Sequence, residues 1–187
     1  MKKINVTRSS MPSYEEYCEE IKSLWDSRWL SNRGAKHREF EEKLQGYLGA
    51  ENIALFANGH VALEVAIDAF GFKKGSEVIT TPFTFGSTTQ AILRNGLKPV
   101  YCDIREDDFT IDADKIEAVI TEKTKAIVLV HYAGMVCDMD EFNKISKEYN
   151  IPIIETNIND EVNNKTRFIL LGKFLPQQTG DDKTSIT

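Results

Sequence analysis

No run of about 18 consecutive apolar residues occurs in the chain, so nothing in it reads as a membrane-spanning helix. Basic charge is in deficit: 23 Lys and Arg stand against 29 Asp and Glu, a formal net charge of -6. With no basic stripe to offset that balance, a nucleic-acid surface is not expected. Cysteine is scarce. Cys18, Cys102 and Cys137 are an odd number without C-x-x-C spacing, which suits a reducing compartment and small core positions. His37, His60 and His131 lack metal-ligand spacing and have no cysteine nearby, so no metal site is expected. The opening residues MKKINVTRSSMPSYEE contain no apolar segment of secretory type, and the expected location is cytoplasmic. There is no internal repeat and no low-complexity segment.

What remains is an ordinary globular composition. At 187 residues, 41% apolar and 28% charged, the chain is long enough to bury a real core. Its organising stretch is IALFANGHVALEVAIDAFGFKKGSEVITTPFTFGS, residues 53–87. A short apolar run at 53–56 reads as a strand ending at Ala57-Asn58-Gly59, and a periodic helix follows at 60–70. A second strand at 77–80 leads into Thr81-Pro82-Phe83-Thr84-Phe85. Strand, glycine turn, helix and strand make one α/β unit whose strands end at a common rim, where such folds place ligands. Asn58-Gly59-His60 stands where backbone N–H groups at a helix start can hold an anion. The same three residues also suit a plain loop–helix junction. Phe83 reads as core, and Phe85 as either a ring-stacking plate or ordinary packing.

The remaining elements follow in order. Ser13-Tyr14-Glu15-Glu16 matches a capping box, with a helix expected to about Arg28, and a second helix is expected over 36–48. Trp25 and Trp29 read as packing bulk at a core or an interface. Further helices are expected at 87–94, 112–120 and 139–149, and further strands at 98–102, 126–130 and 151–155. Asp103 reads as a turn cap, Asp138 as a helix N-cap and His131 as structural. Near-continuous apolar strands alternating with helices predict a mostly parallel α/β sheet flanked by helices. The chain divides into an N-terminal helix and loop segment at 1–35, a partial α/β domain at 36–155 and a divergent tail at 156–187. In that tail, 168–171 could form a strand and 177–187 reads as frayed.

Several segments carry a resemblance, in order and with matching spacing. They are WLSNRGAKHREFEEKLQGYLG, FANGHVALEVAI, GSEVITTPFTFGSTTQAILRNGLKPVYCDI, DADKIEAVITEKTKAIVLVH, YAGMVCDMD and IPIIE. Over about residues 4–155 the sequence resembles the sugar aminotransferases of the DegT/DnrJ/EryC1/StrS family, which are fold-type I and pyridoxal-phosphate-dependent. The resemblance implies the incomplete major domain of such an enzyme. It also implies pyridoxal 5'-phosphate as the cofactor of intact relatives, and amine transfer from glutamate or glutamine to a keto-sugar on a nucleotide carrier. Gly59 and His60 match the turn whose amides hold the cofactor phosphate, and Phe85 matches the aromatic that stacks on the pyridine ring. Asn32 and Gly34 match an early loop near the active site. Relatives are typically homodimers with sites built across the interface.

The pattern then breaks. Thr156 stands where relatives carry the aspartate that pairs with the pyridine nitrogen, and Asn159 stands at their histidine position. A threonine cannot supply that anion. The Schiff-base lysine has no match: Lys125 begins its strand, at the wrong rim, and Lys165 and Lys173 lie in the tail. No catalytic residue is therefore assigned. The expectation is a truncated nucleotide-sugar aminotransferase homologue, inactive alone. The alternatives are a non-catalytic partner subunit of a full-length homologue or a ligand-binding remnant. The association expected is a homodimer, or a heterodimer with such a homologue.

Overall fold

In the computed structural model, which describes residues 11–158, four strands carry the fold: β1 (Glu77–Thr80), β2 (Lys98–Tyr101), β3 (Thr124–Tyr132) and β4 (Ile153–Ile158). They pair in the order β2-β1-β3-β4, every neighbour parallel. The central pair is set by Val78 opposite Ala126 and Ile79 opposite Ile127. Side chains alternate across a strand, so these residues divide between two faces. Ile79, Ile127 and Leu129 pack with Phe142 and Ile145 of helix α6 (Met139–Tyr149). Val78, Ala126, Val128 and Ile154 pack with Leu63 and Ile67 of α4 (Gly59–Asp68) and with Ala91 and Ile92 of α5 (Ser87–Arg94). The result is the expected parallel sheet between two helical layers.

The helix limits at 87–94 and 139–149 agree with the sequence reading, and Asp138 caps α6 through the Glu141 N–H at 3.2 Å. The capping box at Ser13 is present too. The helix expected to Arg28 is two pieces, α1 (Tyr14–Ile21) and α2 (Ser23–Ser27), and α3 covers Ala35–Leu48.

Two expected elements differ. Residues 53–56 form no ladder, because among the described residues no strand lies beside them. A strand requires a partner's hydrogen bonds, and four apolar residues cannot supply those themselves. The helix expected at 112–120 is two 3-10 turns, Ala113–Lys115 and Glu117–Val119. Asp112 caps the Asp114 N–H at 3.1 Å, and Ile116 is driven fully into the α6-side core, which leaves no length for a regular α-helix. The expectations for 159–187, including Asn159, Lys165, Lys173 and a strand at 168–171, lie outside the described residues.

Two polar ties close the sheet at its ends. Where the strands begin, the buried Glu77 carboxylate accepts from Thr121 Oγ1 at 2.6 Å and from Lys98 Nζ at 3.2 Å, which ties β1 to β2 and to the turn before β3. The Thr121 hydroxyl first, then Lys98, hold its carboxyl below the usual carboxylate range. Where the strands end, His131 joins β3 to β4. Its Nδ1 accepts the Cys137 N–H at 3.2 Å, so its Nε2 is the donor toward Glu155 Oε2 at 3.3 Å. Cys102 and Cys137 are buried as expected, whereas Cys18 on α1 is only half-buried because that helix buries no residue; burial pushes the Cys102 and Cys137 thiols up to about 11.

A carboxyl with a depressed folded pKa adds stability above its unfolded value, about 4.3 for Glu, and loses that contribution as pH falls through the folded value. Acid titration monitored by circular dichroism should therefore show Glu77→Gln less stable at neutral pH, with the gap to wild type closing as pH falls below about 4. A constant gap would contradict the tie. For His131, 15N NMR of the neutral ring should find the proton on Nε2, and a proton on Nδ1 would contradict the Cys137 contact.

Candidate functional site

The residues singled out for binding gather at the C-terminal rim, the edge where the strands end. Connectivity alone puts them there. α5 starts just past the end of β1, and α4 runs back toward the start of β1, so both helices open at the same rim. They lie side by side in one core, with Asn95 Nδ2 donating to the Glu64 carbonyl at 3.0 Å.

The start of α4 is shaped by Asn58. Its Oδ1 accepts the Val61 N–H at 3.0 Å and its carbonyl accepts the Ala62 N–H at 3.2 Å. Two first-turn donors are thereby satisfied, while the N–H groups of Gly59 and His60 have no partner among the described residues. The positive end of the helix dipole lies behind these two open donors, the local arrangement that anions can occupy at helix starts. Gly59 adds no side chain to obstruct it. The His60 ring lies along the helix, with Nε2 3.6 Å from Glu64 Oε2, and its buried Nδ1 has no hydrogen-bond partner among the described residues. Arg94 also pairs with Glu64, at 3.1 Å.

Phe85 stands two residues before α5 with 70% of its surface exposed, an aromatic face free to receive a flat ring. Phe83 does not enter the core, contrary to the sequence reading. The loop after Thr80 climbs over the rim, where there is no opposing layer to bury it. Phe83 instead packs against Tyr132 at 4.8 Å and Phe109 at 5.6 Å between ring centroids, and stays 40% exposed. This trio sits over the ends of β1 and β3, the point where strand order reverses and α/β sheets open a crevice. Phe109 and Ala133 hold positive φ of 62° and 48° in the same rim loops, a form of strain that collects near functional sites.

Thr156 is buried on β4, two residues beyond Ile154, and so on the face covered by α4 and α5. Asp103 is a turn cap, as expected: its Oδ1 accepts the Ile104 N–H at 2.9 Å, and its Oδ2 lies 3.4 Å from Lys115 Nζ. Lys125 opens β3 at the opposite rim and donates to the Glu122 carbonyl at 3.1 Å. Asn32 and Gly34 lie in the connection between α2 and α3. Trp25 and Trp29 are both exposed, which removes the core alternative for them. The sequence reading did not single out Asn58 as a cap, although an asparagine just before a periodic run is the usual signal. It also missed the Phe83–Phe109–Tyr132 cluster, which is assembled from three segments far apart in the chain.

With this geometry in hand, comparison with known proteins is direct. The chain matches the DegT/DnrJ/EryC1/StrS aminotransferase family over residues 13–157. It is 43% identical over 153 residues to the dTDP-4-amino-4,6-dideoxy-D-glucose transaminase of Escherichia coli, covering 82% of this chain and 41% of that protein. Among solved structures it is similar to NtdA from Bacillus subtilis with bound cofactor PMP, at TM-score 0.72 and 30% identity, covering 81% of this chain and 37% of that one. It is likewise similar to the aminotransferase from Psychrobacter cryohalolentis, at TM-score 0.70 and 30% identity, covering 80% and 38%. The chain thus spans about two-fifths of the length of these relatives. Because the family match spans residues 13–157, most of the chain, this chain belongs to the DegT/DnrJ/EryC1/StrS aminotransferase family.

Proposed function

We propose that this chain is the cofactor-holding portion of a nucleotide-sugar aminotransferase, able to bind pyridoxal phosphate but not to transaminate by itself. The observation that carries the reading is the pair of unpartnered amides at Gly59 and His60, at the rim where the exposed Phe85 also stands. Phosphate oxygens fit those donors, and His60 Nδ1 on the same helix turn is a buried polar atom that nothing among the described residues satisfies. Phe85 would cover one face of the pyridine ring. When bound, pyridoxal phosphate supplies the electron sink for moving an amine from an amino acid to a keto-sugar.

The chain's own residues limit that chemistry. Thr156 offers a neutral hydroxyl where a carboxylate would keep the ring nitrogen protonated, so the sink is weak. A Schiff-base lysine needs a lowered pKa. Lys115, which reaches this rim through Asp103, shows the reverse: its hydrogen bond to Asp112, reinforced by Asp103, raises its pKa. The keto-sugar on a nucleotide carrier is the substrate class this reading implies. The free thiols fit a cytoplasmic setting, and among the described residues no helix is long and apolar enough to cross a membrane.

A second reading, as a subunit that pairs with another copy or with a full-length relative, rests on α1, α2 and α3. None of these helices buries an apolar side chain, and they expose Tyr14, Tyr17, Trp25, Phe40 and Tyr47. Helices this short are marginal in water without tertiary packing.

Titration of the purified chain with pyridoxal phosphate, read by absorbance, should saturate and be competed by inorganic phosphate. Gly59→Asp should abolish it, and Phe85→Ala should weaken it about tenfold, the equivalent of about 1.4 kcal/mol. An adduct on one lysine after borohydride reduction, or turnover of a keto-sugar, would overturn the inactive reading, and no binding would overturn the cofactor reading. Sedimentation velocity should find a dimer, alone or with a full-length relative. A chain that stays monomeric under both conditions would exclude the subunit reading.

A further inference from the structure

The connection from α2 to α3 is a strained loop in an unusual setting. Arg28, Asn32 and Arg33 all hold positive φ, at 54°, 52° and 57°, and none of them is glycine. Such conformations persist only where their surroundings over-determine them. Here the surroundings are not apolar, since Leu30 at the tip is among the most exposed side chains described. The restraints come instead from one face of α3. Glu41 is the only buried residue of that helix, and it is a carboxylate. It accepts from Arg33 Nη2 at 2.6 Å and lies 3.2 Å from His37 Nε2. Arg38, on the same helix, donates to the Arg33 carbonyl at 2.7 Å and sets its guanidinium 5.0 Å from the Trp29 ring centre. Gly34 completes the fit: a Cβ there would stand 3.2 Å from the Trp29 carbonyl oxygen.

A helix that buries a charge and no apolar side chain reverses the usual pattern, and a buried carboxylate is retained only if it is paired. We propose that Glu41 is a positioning residue. Acting through Arg33, it holds residues 29–34 in one preformed conformation, so that Leu30, Ser31 and Asn32 are presented outward with their ordering cost already met. Arg38 and Trp29 brace the other side of the loop, and His37 steadies the carboxylate. The inference concerns the chain's own conformation and requires neither cofactor binding nor catalysis. It can therefore stand or fall separately from the cofactor reading.

Amide hydrogen exchange on the full chain, resolved by mass spectrometry, tests it. Glu41→Gln keeps the shape and removes the charge, and Arg33→Gln removes the exposed partner while leaving α3 intact. Each should raise exchange over residues 29–34 at least tenfold and leave the β1–β3 peptides at wild-type rates. The double variant should exchange no faster than either single one, because both remove the same contact. Two results would overturn the proposal. One is wild-type exchange over 29–34 in Arg33→Gln. The other is a double variant whose effect is the sum of the two. If Glu41→Gln unfolds α3 as a whole, Arg33→Gln still decides the matter.

Discussion

The parallel pairing of β1 with β3 is the constraint from which the rest follows. Both strands are buried on both faces, Val78 and Val128 on one and Ile79 and Ile127 on the other. A sheet with two apolar faces needs a helical layer on each, so α4 and α5 must cover one side and α6 the other. Parallel strands also require every connection to cross from one end of the sheet to the other. This is why the helix starts and the strand-end loops collect at a single rim. The candidate site is a consequence of that geometry before it is a property of any one residue.

At the rim, polar satisfaction is divided unevenly, and the division matters. Asn58 uses its side chain and carbonyl on the Val61 and Ala62 amides and leaves those of Gly59 and His60 open. Elsewhere the same kind of atom is fully used: His131 engages both ring nitrogens between Cys137 and Glu155, which identifies it as a structural link. Thr156 is buried on the β4 face that α4 and α5 cover.

The N-terminal helices obey a different logic. Their contacts among the described residues are ion pairs and hydrogen bonds: Glu41 with Arg33, Lys36 with Glu20 and Glu39, and Arg38 over Trp29. Their aromatic side chains Tyr14, Tyr17, Trp25, Phe40 and Tyr47 are exposed among the described residues, where a globular core would have drawn them in. The sheet is held together by apolar burial, whereas this segment is tied together by charge.

Local signals determined much of the molecule. Helices 87–94 and 139–149 were legible because periodic apolar residues lie between clear boundaries, an Asn-Gly stop after the first and the Asp138 cap before the second. The capping box at Ser13 was legible because it is written within four residues. The rim position of Gly59, His60 and Phe85 was legible from the helix that starts near 59 and the strand that ends at 80. Tertiary structure alone decided the rest. Residues 53–56 have strand-like composition and no strand, because a ladder belongs to two segments. The stretch 112–120 gave way to 3-10 turns because Ile116 had to reach a core built by β1, β3 and α6. Phe83 is apolar yet lies on the rim, since burial depends on whether another layer stands opposite. The pairing of Glu41 with Arg33 could not be read from its identity as one of many glutamates, because only the folded loop brings Arg33 to it. Periodicity and caps are local and survive in the sequence; pairing, burial and charge partnership are relations between distant segments, and only the fold creates them.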